Sequence, residues 1–219
     1  MSFDSSTLKR PITEETRAWV REDIPEISEI SDKELQNKVV EAWAYALCQS
    51  GFNRISDIPG AGNPGFLELT DGDQADHIRA VARIALFIAD DFKKRFPEAD
   101  INRDYVVAGA IIHDIGKPYE FDPENLKRWA DDPSRSGQPA LRHSVYGAHV
   151  CLTVGLPEEL AHIALGHSRE GQHLNLSTEC VIVRLTDHSW WDMATVLGLL
   201  KPESLAFPQI KLQPRKTLQ

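Results

Sequence analysis

The sequence predicts an all-α protein. Apolar residues recur at three- and four-residue spacing through several long stretches, and proline and glycine mark the gaps between them. Alternating apolar and polar runs are missing, apart from the short "CVIVRL" at residues 180–185, whose period cannot separate strand from helix.

Taken in order, "TEETRAWVRED" and "SDKELQNKVVEAWAYALCQSG" read as two helices. The second is expected to open on a capping box from Ser31 to Glu34 and to close at Gly51, with Val39, Ala42, Trp43, Ala46 and Leu47 as its apolar stripe. Next comes "FNRISDIPGAGNPGFLELTDGD", which carries two prolines, several glycines and no period, and so reads as a long loop. Residues 72–96 have helical spacing and a basic last turn, as the macrodipole prefers. A shorter helix is expected from Asn102 to Ile115. The four prolines of "GKPYEFDPENLKRWADDPSRSGQPALR" make it a loop with one short helix. Three more helices follow in "HSVYGAHVCLTVGL", "PEELAHIALGH" and "STECVIVRLTDHSWWDMATVLGLL", with Pro157 expected at a first helical position.

At 219 residues and 42% hydrophobic content, the chain has material for one domain with a substantial core and an appended subdomain. A net charge of −9 supplies no basic field for a nucleic-acid polymer, although a local site for a small anion is compatible with it. Cys48, Cys151 and Cys180 are widely spaced in apolar patterns and read as reduced, buried thiols. The first residues have no apolar core of a signal peptide, and no later run is long enough to span a bilayer, so a soluble, cytoplasmic protein without a membrane partner is expected. Internal repeats are not found.

The polar residues within the apolar faces carry the chemistry. In "VVAGAIIHDIGKPYEF" a hydrophobic run ends on His113 beside Asp114; taken alone, such a doublet reads as a pair at a helix C-terminus. Helical spacing also places His77 on a face with Val81, Ile84 and Ile88, and His113, Asp114 and Lys117 on a stripe with Val106 and Ala110. His143 lies with Gly147 and Val150, His167 with Leu160, Ile163 and Ala164, and Asp187 with Val183, Trp190, Trp191 and Ala194. Any one inward histidine is more simply a hydrogen-bonded core residue. Six inward groups of ligand type on five helices point instead to one or two divalent ions such as iron, manganese, cobalt or zinc. A structural zinc site would favour four ligands, usually including cysteine.

His77, then His113-Asp114, then Asp187, on successive helices, resembles the HD superfamily of metal-dependent phosphohydrolases over roughly residues 72–195. "HDIGK" matches its doublet with a lysine three positions after the aspartate, "RHSVYGAH" resembles its His-x-x-x-Gly-Ala segment, and "HIALGHSREG" its helix-end histidine. The resemblance implies a helical bundle at 72–195; outside it the chain is expected to form an N-terminal helical extension and long loop at 1–71 and a tail at 196–219. The resemblance also implies a first ion held by His77, His113, Asp114 and Asp187, and a second completed by His143 and His167 with Asp114 bridging, since those two histidines mark binuclear members.

The implied reaction is hydrolysis of a phosphate ester or anhydride by a metal-bound hydroxide, with a small anionic or polar substrate as partner. Asp114 and Lys117 are the expected catalytic residues, Lys117 donating to a phosphate oxygen; a cation on the helix C-terminal dipole is its plainer reading. Arg142 and Arg169 are weaker candidates for anion contact. The tyrosine-proline segment of the cyclic-dinucleotide branch is absent after "HSREG", so that substrate is not implied. The same six ligands occur in a branch resembling inositol oxygenase and its phosphonate-cleaving relatives, where a mixed-valent di-iron pair activates dioxygen. Spacing does not separate the two. The N-terminal helices and the glycine-rich loop are expected to serve packing or dimerisation rather than to cover the site as a lid.

Overall fold

The computed structural model describes residues 8–205, so the end of the expected C-terminal tail lies outside the described residues. Helix α1 spans Glu14–Asp23 and α2 Lys33–Cys48; α3 spans Gln74–Arg95 and α4 Arg103–Ile112. Three short helices follow: α5 at Lys117–Glu120, α6 at Pro123–Asp131 and α7 at Pro133–Ser136. Then come α8 at His143–Thr153, α9 at Glu158–Gly166 and α10 at Thr178–Val196. The all-α expectation holds, and "CVIVRL" is part of α10.

Helix starts follow the local chemistry. Asp73 caps α3 through a reciprocal capping box with Asp76, and Asn102 caps α4 by accepting from the Tyr105 amide. On α2 the cap is Asp32, whose carboxylate accepts from the Glu34 and Leu35 amides, so the expected Ser31–Glu34 box is not what starts this helix. Pro157 is the residue before α9 rather than its first turn. Helix α4 stops at Ile112, earlier than expected, and the chain makes a tight turn through His113 to Gly116 before α5.

The main correction lies between α2 and α3. Where a structureless loop was expected, Pro59–Asn63 (β1) and Phe66–Asp73 (β2) pair as an antiparallel hairpin, with Asn63 opposite Phe66 and a bulge between Pro59 and Ala61. Gly65, at φ +74°, makes the tight turn with Pro64. Outside β2, residues 199–201 run antiparallel to it. The Thr70 amide donates to Leu199 O at 2.8 Å, and the Lys201 amide donates to Glu68 O at 2.8 Å.

One continuous apolar core joins α1, α2, α3, α4, α8, α9 and α10. Trp43 of α2 is fully buried in it and donates from its indole N–H to Ile111 O of α4 at 3.1 Å, which fixes the N-terminal extension onto the bundle. A smaller cluster of Leu69, Trp191, Ala194 and Leu200 fastens the hairpin to the end of α10. On α3 the inward stripe contains His77, Ile78, Val81, Ala82, Ala85 and Ala89; Ile84, expected on it, is 43% exposed. The three cysteines are buried and free. Among the described residues no helix is long and apolar enough to cross a membrane.

Candidate metal centre

All six expected ligands are buried and meet in one place. His77 comes from α3, His113 and Asp114 from the turn after α4, His143 from the first residue of α8, His167 from the end of α9 and Asp187 from the middle of α10. They form two groups, His77–His113–Asp187 and Asp114–His143–His167, within each of which the donor atoms lie within 4.8 Å of one another. Asp114 joins them: Oδ2 is 3.2 Å from His113 Nε2 and 3.5 Å from His77 Nε2, while Oδ1 is 3.3 Å from His143 Nε2 and 3.6 Å from His167 Nε2.

Backbone geometry creates this meeting. A Cβ built on Gly116 would lie 2.0 Å from His143 O, so only glycine lets the turn after the doublet touch the start of α8. The imidazoles are then oriented from behind. His113 Nδ1 donates to Ala110 O at 2.6 Å and His167 Nδ1 to Ala164 O at 2.8 Å, because a carbonyl can only accept. Behind His143 stands Glu120, fully buried, whose Oε2 accepts from His143 Nδ1. All three rings thus turn an Nε2 lone pair inward.

Those inward lone pairs supply the test of whether the residues suit a metal. His143 Nε2 and His167 Nε2 are 3.3 Å apart with no proton to share, and Asp114 Oδ1 faces both. Asp187 Oδ1 is buried with His77 Nε2 3.2 Å away and no well-formed hydrogen bond. Lone pairs converging in a buried space repel unless a cation lies among them, and imidazole with carboxylate suits a borderline divalent ion. The donor set fits.

The electrostatics agree. Burial pushes the Asp114 carboxyl up, but Lys117 and His113 outweigh it and hold it well below the ordinary range. Asp187 is likewise held low, burial being overcome by His77 and His113. His113 is raised: burial opposes its charge, but Asp114 and Asp187 favour it. His167 is lowered, chiefly by burial, with His113 and His143 adding to that effect against Asp114. The two carboxylates are thus kept ionised and His167 neutral, the forms that metal ligation requires, while His113 would release its proton as an ion binds.

The centre opens into a chamber of about 450 Å³. Arg142 and Arg169 line it, and so does His188, next to Asp187. Trp129, Leu126 and Pro139 form one wall, Trp191 another, and the hairpin residues Gly62, Asn63, Pro64, Phe66 and Leu67 a third. Lys117 borders it too, yet its ammonium donates to Ala61 O and Gly62 O and lies 3.5 Å from Asp114 Oδ2. Of the remaining histidines, His149 and His173 are exposed, and His162 accepts from the Ser177 amide at 3.2 Å.

Sequence reasoning missed three contributors. Glu120 was hidden in a proline-rich segment read as loop. Gln74, fully buried, donates from Nε2 to Asp114 Oδ2 at 2.7 Å; its place one turn before His77 on the same helix was the available signal. The hairpin lies in a stretch whose prolines and glycines read as a long loop.

A buried, histidine- and carboxylate-lined helical centre of this kind defines a metal-binding α-helical domain. Comparison with protein families gives the same result more specifically: the model of the HD domain matches residues 75–189, and the chain belongs to the HD domain family. A curated relative, dihydroneopterin 2',3'-cyclic phosphate phosphodiesterase of Methanocaldococcus jannaschii, is 32% identical over 99 residues, which cover 42% of this chain. The match spans 38% of that relative's length. Comparison with solved structures finds no match.

Proposed function

We propose that this chain is a metal-dependent phosphohydrolase acting on a small organic phosphate ester or nucleotide. The observation that carries the reading is the Asp114 carboxylate, placed between two buried histidine pairs beside a chamber with two arginines. The HD domain match and the phosphodiesterase relative support it. Two divalent ions, when bound, would lower the pKa of a water and offset charge on phosphoryl oxygens.

In this reading His77, His113 and Asp187 hold one ion and His143 and His167 the other, with Asp114 bridging. Ala110 O, Ala164 O and Glu120 keep the imidazole lone pairs aimed inward, and Gln74 steadies the bridging carboxylate. Arg142 and Arg169 bind the substrate's negative charge, and Arg142 is itself positioned by Glu120, Nε to Oε1 at 3.0 Å. The ammonium of Lys117 keeps Asp114 ionised. Trp129, Phe66 and Trp191 suit an apolar or heterocyclic substrate body and exclude water around it.

The test uses protein loaded with manganese or cobalt, oxygen excluded, and a panel of nucleotides, 2',3'-cyclic nucleotides and simple phosphate esters. Phosphate or phosphomonoester release is expected, and it is lost in Asp114→Ala. No turnover across the panel, together with a mixed-valent iron signal in electron paramagnetic resonance, overturns the reading in favour of a di-iron oxygenase.

A further inference from the structure

We infer that Lys117 is a positioning residue: its buried ammonium tethers the β1–β2 hairpin to the Asp114 carboxylate, and so sets the chamber wall instead of contacting substrate. An ammonium has three N–H donors. Here two meet Ala61 O and Gly62 O, the latter at 2.9 Å, and Asp114 Oδ2 lies 3.5 Å away. Lys117 is 1% exposed, two of its three donors are held by carbonyls, and a substrate oxygen would reach the third only by displacing the Asp114 carboxylate.

The hairpin needs such a tether. Leu67 has φ +53°, a left-handed conformation that a branched side chain adopts only when its surroundings enforce it. The outer strand is fastened by Leu69 against Trp191 and Leu200 and by its bonds to residues 199–201, whereas Lys117 grips the inner strand next to the tip. The tip residues Asn63, Phe66 and Leu67 are chamber wall, so loosening Lys117 acts on substrate fit. Anion contact is left to Arg142 and Arg169, in keeping with the proposed phosphohydrolase on which this inference rests.

The first test needs no activity and no variant. Among the described residues Lys117 is the only buried lysine, so in zinc-loaded, ¹⁵N-lysine-labelled protein its ammonium is expected as a slowly exchanging resonance. That resonance should stay in place when inorganic phosphate is titrated to saturation; a shift that follows phosphate occupancy overturns the tether. The second test compares Lys117→Met with Leu69→Ala in the full, metal-loaded chain. Both should keep metal stoichiometry, speed amide exchange across residues 59–73 at least tenfold, and raise KM for bis(p-nitrophenyl) phosphate more than they lower kcat. Lys117→Met with wild-type exchange in the hairpin and a reduced kcat overturns the inference. If no protein hydrolyses that ester, the resonance and the amide exchange still decide the tether, while the phosphohydrolase reading fails separately.

Discussion

Glu120 and His143 form a buried pair in which the carboxylate accepts from Nδ1 and turns Nε2 to within 3.3 Å of Asp114 Oδ1. Burial pushes the Glu120 carboxyl up, but His143 and Arg142 outweigh it and keep it ionised. Glu120→Gln preserves the shape and removes the charge that makes His143 a better donor to a metal. Such a partner is worth about 10–100-fold in affinity. We expect the second ion to bind about that much more weakly in this variant while the first is retained, as read by metal titration.

The division of donors into two groups predicts different stoichiometries for ligand variants. Wild-type protein should carry about two ions per chain, because six donors exceed the four of a typical single site. His143→Ala should carry about one. Asp114→Ala, which faces both groups, should lose both and show the lower melting temperature of the metal-free form; a ligand at one hundred times its Kd stabilises by about 2.7 kcal/mol. Elemental analysis with thermal melts checks all three, and full metal content in Asp114→Ala contradicts the bridging role.

The extent to which this centre is legible in the sequence depends on how each residue is positioned. His77 and Asp187 lie inside long helices, so the helical period alone points them inward. His113 and His167 sit at helix ends, where the last regular turn still fixes their direction. Glu120 and the hairpin obey no such local rule. Glu120 belongs to a four-residue helix with Pro118 in it, and its partner is 23 positions away. β1 reads "PGAGN", which has no strand propensity of its own; Lys117 holds it from within and residues 199–201 hold its partner β2 from outside, tertiary contacts that no window of sequence contains. The early stop of α4 has the same origin: Gly116 must pass against His143, and the helix yields to that contact.

Gly116 offers a prediction from sterics alone. In Gly116→Ala the new methyl would meet backbone, His143 O at 2.0 Å and Gly147 N at 2.8 Å, so α8 must shift instead of a side chain. Overpacking against well-packed surroundings costs about 1–3 kcal/mol, and each kcal/mol lowers the melting temperature of a chain this size by about 2–4 °C. Because α8 carries His143, the same variant should lose the second ion and keep the first. A melt together with metal analysis checks it, and an unchanged melting temperature would show that the turn and α8 can separate freely.

Asp122 allows a pH-dependent prediction at a carboxylate whose hydrogen bonds go to Gly51, Lys9, Glu124 and Asn125 and to none of the six expected ligands. Its buried carboxylate accepts from the Gly51 amide at 2.8 Å and Lys9 Nζ at 3.1 Å on one oxygen, and from the Glu124 amide at 2.9 Å and the Asn125 amide at 3.3 Å on the other. It thereby caps α6, whose Trp129 lines the chamber, and ties it to the N-terminal extension. Burial pushes its pKa up, yet the Gly51 amide and Lys9 outweigh burial and hold it below the ordinary range. A depressed folded-state pKa means the stabilisation is complete above the unfolded value of about 3.9 and disappears as pH falls through the folded value. In Asp122→Asn the amide sets its NH2 either against Gly51 N–H and Lys9 or against the Glu124 and Asn125 amides, and the loss of a buried bond to a charged group costs about 1.5–3 kcal/mol. Denaturant melts of wild type and Asp122→Asn should therefore differ by about that amount at pH 7, keep the same difference down to about pH 5, and converge below about pH 4. A difference that persists unchanged at low pH would show that the cap acts through its shape and not through its charge.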